Sequence, residues 1–121
     1  MISNRIALSK SKIKEVILKI EETADTNFMF LNRSTALDKD PFYFFQELGI
    51  DIKDAVAIIK SLTIEDYQYT QYATKNKYEY MHIFHKQIFN KIAYIKIAYI
   101  KIAFKSDKTI VISFHEKMFE N

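Results

Sequence analysis

Apolar residues change their spacing once along this chain, near residue 66. Before that point they recur every three or four positions, as on a helix. Ser11 reads as an N-cap, and Ile13, Val16, Ile17 and Ile20 behind it share a face, so Ser11–Glu22 is expected to be an amphipathic helix. "NFMFL" is a short apolar run that suits either a strand or a loop against the core. Asp40 followed by Pro41 is a cap and a favoured first helical residue; Phe42, Phe45 and Leu48 then share one side, and Gly49 stands where a helix end needs positive φ. Asp51 caps a third helix, with Ala55, Ile58, Ile59 and Leu62 as its apolar stripe, and Thr63–Asp66 is a capping-type turn that closes the helical half. From Tyr67 the period becomes two: "YQYTQY", turn chemistry in "ATKNK", then "YEYMHIF", a hairpin loop in "FKSDKT" and a last strand in "IVISF". Helices first and antiparallel strands afterwards predict an α+β fold.

One stretch resists this reading. "KIAYIKIAYIKIAF", Lys91–Phe104, repeats a five-residue word. Wound as a helix it would place isoleucines all round, and its β-branched and aromatic content suits a strand better. A strand has period two, so an odd repeat turns equivalent side chains to opposite faces. Tyr94 and Tyr99 therefore cannot share a face of one uninterrupted strand: either the first copy lies in a loop or bulge, or the strand projects past its partners. The degenerate register also raises strand exchange between two copies of the chain.

Composition narrows the setting. With 121 residues, 49% of them apolar, and 10 Phe and 8 Tyr, the chain is long enough for one domain with its own core. It has no cysteine, which excludes disulfides and thiolate metal sites, and His82, His85 and His115 lack any recognised ligand spacing, so no metal or other cofactor is expected. The first 20 residues lack the uninterrupted apolar stretch of a signal peptide, and no run is long enough to span a membrane, so a cytoplasmic protein without membrane partners is expected. The net charge of +3 is uneven: Met1–Ser61 carries nine basic and nine acidic residues, whereas Lys75–Lys108 carries eight lysines against Glu79 and Asp107. A lysine-rich, aromatic sheet suits RNA, although a solvated charged face accounts for the same count.

The segments "ELGID", "AIIKSLTIEDY", "YIKIAF" and "IVISFHEK", in this order between Glu47 and Lys117, resemble the MqsR family of toxins, mRNA interferases of type II toxin–antitoxin modules. "SKIKEVI" at Ser11 and "NRSTAL" at Asn32 fit more loosely. The resemblance implies a RelE-like single domain over residues 1–121, with N-terminal helices on one face of a curved antiparallel sheet and RNA on the other. It implies metal-independent cleavage, in which the ribose 2′-hydroxyl attacks the adjacent phosphate and leaves a 2′,3′-cyclic phosphate. It also implies a cognate antitoxin as partner, which would carry any operator binding, since this chain shows no helix-turn-helix. The family's strand has a single Tyr-x-Lys-Ile unit, so the pentapeptide reads as a tandem duplication. The second copy, with Tyr99, holds the family register, and the first, with Tyr94, is accommodated at the strand's start.

Carried over position by position, the resemblance puts the family's strand tyrosine at Tyr99, its C-terminal lysine at His115 and an arginine at His85. Alternation then adds Lys101 beside Tyr99 and Ser113 beside His115, and sets Met81, Ile83 and His85 on one side. His115 can take and give a proton near neutrality. His85 can neutralise phosphate or shuttle a proton, Tyr99 can position the phosphate, and Lys101 offers a permanent cation. The family's catalytic lysine and glutamine positions hold Tyr69 and Met81 here, so Tyr69, with Lys75 and Lys77 in the following turn, are candidate RNA contacts that would have to supply the missing charge. The same departures open the alternative of a weakened or non-catalytic RNA-binding or antitoxin-binding module on this fold.

Overall fold

The computed structural model describes residues 4–31, 39–72, 78, 80–89 and 95–117. Its elements are β1 (Asn4–Ile6), α1 (Lys10–Glu22), β2 (Phe28–Phe30), α2 (Pro41–Leu48), α3 (Ile52–Lys60), β3 (Tyr67–Tyr72), β4 (Tyr80–Phe89), β5 (Ile95–Lys105) and β6 (Lys108–Glu116). The strands form one six-stranded sheet in the order β1-β3-β4-β5-β6-β2. Every pairing is antiparallel except that of β2 with β6, which is parallel. The expected wholly antiparallel sheet is thus corrected at one edge, where "NFMFL" enters as a strand from the helical half. The three-residue β1 at the other edge was not anticipated, because "NRI" carries no apolar alternation and is held by its ladder to β3.

Local signals set the helices. The N-cap of α1 is Ser9, whose hydroxyl accepts from the Lys12 amide at 3.3 Å, not Ser11. Ile13, Val16 and Ile20 form its buried stripe, as the spacing predicted. In α2, Asp40 accepts from the Phe42 amide at 2.9 Å, Pro41 opens the helix and Gly49 ends it at φ 71°. Its buried face contains Phe44, Phe45 and Leu48, whereas Phe42 stays exposed, a correction to the expected face. Asp51 and Asp54 cap each other's amides to start α3, each bond contributing on the order of 1 kcal/mol.

The helices cover one face of the sheet. There Val16, Ile20, Phe44, Phe45, Leu48, Ala55, Ile59 and Leu62 meet Phe84, Ile88, Ala98, Ile100, Ile102, Val111 and Phe114. Phe114 is central, with ring centroids 5.2 Å from Phe45 and 5.9 Å from Phe44. The opposite face carries a smaller apolar cluster of Tyr78, Met81, Ala103, Ile110 and Ile112, with Leu31 against it. Further along the same face the side chains turn polar.

Two irregularities set which residues meet there. One lies in β3 between Tyr67 and Tyr69. The other lies in β6, where Lys101 pairs with Ser113 but Ile102 pairs with Val111, leaving an extra residue on β6. Beyond that bulge Phe114 faces the helices and His115 the other side. The β5–β6 connection is the two-residue turn Ser106–Asp107, with Ser106 in the left-handed region at φ 57°. The second pentapeptide copy forms β5, as expected, while Tyr94 and the rest of 90–94 lie outside the described residues. Among the described residues no helix is long and apolar enough to cross a membrane.

Candidate functional site

Tyr99 lies in the middle strand of three and is paired across β4 with His85 and across β6 with His115. Directly opposed residues in a sheet point to the same side, so the three rings line up across the helix-free face. The His115 imidazole stacks on the Tyr99 ring, with centroids 5.0 Å apart and planes 13° from parallel. His85 lies on the other flank at 5.8 Å and 43°. Two positions along β5, Lys101 occupies the same face between Ile83 and Ser113, and it is half-buried. The structure therefore brings together all four residues expected to act on phosphate: His115, Tyr99, Lys101 and His85.

The proton inventory follows from the contacts. His115 Nδ1 is 2.9 Å from the Glu116 carbonyl oxygen. A carbonyl only accepts, so Nδ1 carries the hydrogen and Nε2 is the basic edge of the neutral ring. His115 is only 6% exposed, so its ring is held in place on nearly every side. The Tyr99 phenol is pushed above its ordinary range by burial first and by the neighbouring Tyr69 hydroxyl next, with the Arg5 charge opposing. At neutral pH it is therefore a hydrogen-bond donor and not a base. Burial, with Lys117 nearby, holds His85 below the usual imidazole range and so favours its neutral form. That reduces the phosphate-neutralising role expected of it.

Arg5 is the residue that sequence reasoning missed. It lies on β1 opposite Gln71, and its guanidinium is 4.2 Å from the centroid of the Tyr69 ring. Tyr69 stands where the resemblance places a lysine, and Arg5 brings a permanent cation to that spot from another strand. Nothing in "SNRIA" marks Arg5 out; only the β1–β3 pairing does. Met81, where the resemblance places a glutamine, is 3% exposed and belongs to the second apolar cluster. Lys75 and Lys77 lie outside the described residues. The lysine excess also shrinks on inspection, because Lys86 pairs with Asp66 at 3.4 Å and Lys96 with Glu116 at 3.3 Å.

Beside His85 a cavity of about 510 Å³ opens, lined by Asp66, His85, Lys86, Gln87, Ile97 and Lys117. It extends the row of rings toward solvent and is wide enough for a nucleotide-sized group. Among the described residues no set of three or more His, Cys, Asp or Glu side chains could hold a metal ion. The remaining histidine, His82, points to the helical face and takes no part here. No family model matches this chain, and neither a curated protein nor a solved structure matches it.

Proposed function

We propose that the chain is a metal-independent mRNA endoribonuclease on a RelE-like scaffold, acting in the cytoplasm as the toxin of a type II toxin–antitoxin pair and held in check by its antitoxin. The observation that carries this reading is Tyr99 flanked by His115 and His85 on the helix-free face, with Lys101 alongside. The toxin part of the reading is supported by the resemblance of the segments "ELGID", "AIIKSLTIEDY", "YIKIAF" and "IVISFHEK" to the MqsR family, in the same order and with the helix-to-strand switch in the same place.

In this reading His115 Nε2 takes the proton of the ribose 2′-hydroxyl as the 2′-oxygen bonds to phosphorus. Negative charge gathers on the non-bridging oxygens, where Lys101 and Arg5 stabilise it and the neutral Tyr99 phenol donates a hydrogen bond. The bond from phosphorus to the 5′-oxygen breaks, and that oxygen takes its proton from the minor protonated form of His85, a fraction that grows as the pH falls, leaving a 2′,3′-cyclic phosphate and a free 5′-hydroxyl. Buried Met81, and Tyr69 where the resemblance places a lysine, favour a second reading, RNA binding without cleavage.

End-labelled mRNA incubated with the purified chain in EDTA separates the two. Cyclic-phosphate ends support the nuclease, and salt-sensitive binding without new ends supports the binding module. His115→Asn keeps a donor toward the Glu116 carbonyl but lacks Nε2, so it is expected to slow cleavage by about 10²–10⁴-fold. Parental rates in both His115→Asn and Tyr99→Phe would show that this row of rings is not the active site.

A further inference from the structure

On the helical side, the face opposite the row of rings, a second cavity of about 680 Å³ lies between α1 and the β1, β4 and β5 strands. Its aromatic walls are Tyr80 and Phe104, and Ile6, Leu8 and Val16 add apolar surface. Tyr80 is 47% exposed and Ile6 39%, so large apolar groups are left in reach of solvent. Lys12, Lys19 and Lys105 line it, with Glu15 the only acid among the described lining residues. Lys12 is paired with Glu15 at 3.5 Å, while Lys19 and Lys105 share no ion pair with a described carboxylate. The Lys19 ammonium sits 4.6 Å from the Phe104 ring centroid, on the wall of the cavity.

His82 also lines this cavity, and the polarity of its hydrogen bonds is set from a distance. The Leu8 amide donates to the Tyr67 hydroxyl at 3.2 Å. That hydroxyl lies 2.7 Å from the Thr70 hydroxyl, which lies 2.8 Å from His82 Nδ1. The Leu8 amide cannot accept, so among the described residues Thr70 is the acceptor in reach of the Tyr67 hydrogen, and with that bond made the Thr70 hydrogen goes to Nδ1. His82 Nδ1 is then the acceptor and Nε2–H the donor. The cavity thus combines flat aromatic walls, two cations with no acidic partner among the described residues, and the Nε2–H donor of His82.

We propose that this cavity is a binding site for a planar ring compound bearing an anionic group, either a phosphate or a carboxylate. Ring faces stack on Tyr80 and Phe104, and the anionic group is held by Lys19 and Lys105. Such a site goes beyond RNA cleavage and uses none of its residues.

Calorimetric titration with two series tests it: the nucleoside 5′-monophosphates, and phenylacetate with indole-3-acetate. Uncharged nucleosides serve as controls. At least one anionic series is expected to saturate, with NMR shifts at His82, Tyr80 and Phe104, and the series that binds identifies the source of the anion. The Lys19→Gln/Lys105→Gln double variant is expected to bind about tenfold more weakly. His115→Asn, which removes the proposed nuclease and leaves this cavity intact, is expected to bind as the parent does. The proposal is overturned if neither series saturates in the millimolar range, if the double variant binds like the parent, or if His115→Asn abolishes binding.

Discussion

Acid should withdraw stability from this fold through His82. The ring is only 7% exposed, and burial first, then the charge of Lys19, holds it down to about 4. In the unfolded chain an imidazole titrates near about 6.5. Above that pH the ring is neutral in both states and its burial carries no protonation penalty. As the pH falls from about 6.5 to about 4 the unfolded chain takes up a proton that the folded chain refuses, so stability drops; below about 4 the contribution is flat. The full gap amounts to roughly 3 kcal/mol, a large part of the roughly 5–15 kcal/mol typical of a domain. Urea unfolding of the parent and of His82→Asn, followed from about pH 7.5 to about pH 4.5, isolates the effect. Asparagine offers Thr70 an acceptor near where Nδ1 stands and takes up no proton. His85, which is lowered in the same direction, cancels in the comparison. The parent's advantage over the variant should shrink by close to 1.4 kcal/mol per pH unit near about pH 5. A difference that does not change with pH refutes the reasoning.

Three further outcomes are expected. Arg5→Gln removes the cation above Tyr69 and should lower RNA cleavage by about tenfold or more, while shifting urea stability by no more than about 1 kcal/mol. Phe114→Ala, which empties the space among Phe30, Phe44 and Phe45, should cost about 3–5 kcal/mol in urea unfolding. Deletion of residues 91–95 leaves Phe89 and Asn90 to close a two-residue turn between the paired Ile88 and Lys96; the variant should keep the parent's circular dichroism and cleavage rate, and loss of either would give the first pentapeptide copy a role of its own.

The helices were legible because their causes are local, although α1 is capped by Ser9 and not by Ser11. Asp40, Pro41 and Gly49 act within their own turns, and apolar spacing in α1 reports a single buried stripe; in α3 the buried residues are Ala55, Val56 and Ile59, while Ile58 is half-buried and Leu62 lies past the helix end. Phe44 was missed because α2 is short and packs Phe44 and Phe45 together against Phe114, so its buried arc is wider than one stripe. The charge count misled for a similar reason: Asp66 and Glu116 lie close to Lys86 and Lys96 only in space. Arg5 was illegible because an exposed edge strand of three residues has no pattern of its own.

From residue order alone came the change of period at Tyr67, the strand nature of the second pentapeptide copy and the alternation that sets Lys101 beside Tyr99. These follow from backbone and side-chain preferences acting over a few residues. The meeting of His115 with Tyr99 was decided by the tertiary structure. Strict alternation from Thr109 and Val111, which face the helices, would have sent His115 to that side as well and Phe114 to the other. The extra residue in β6 reverses the parity, burying Phe114 completely among the α2 phenylalanines while Ile112 joins the second apolar cluster. A buried phenylalanine is worth more than an undisturbed ladder, and that preference is what delivers His115 to the helix-free face.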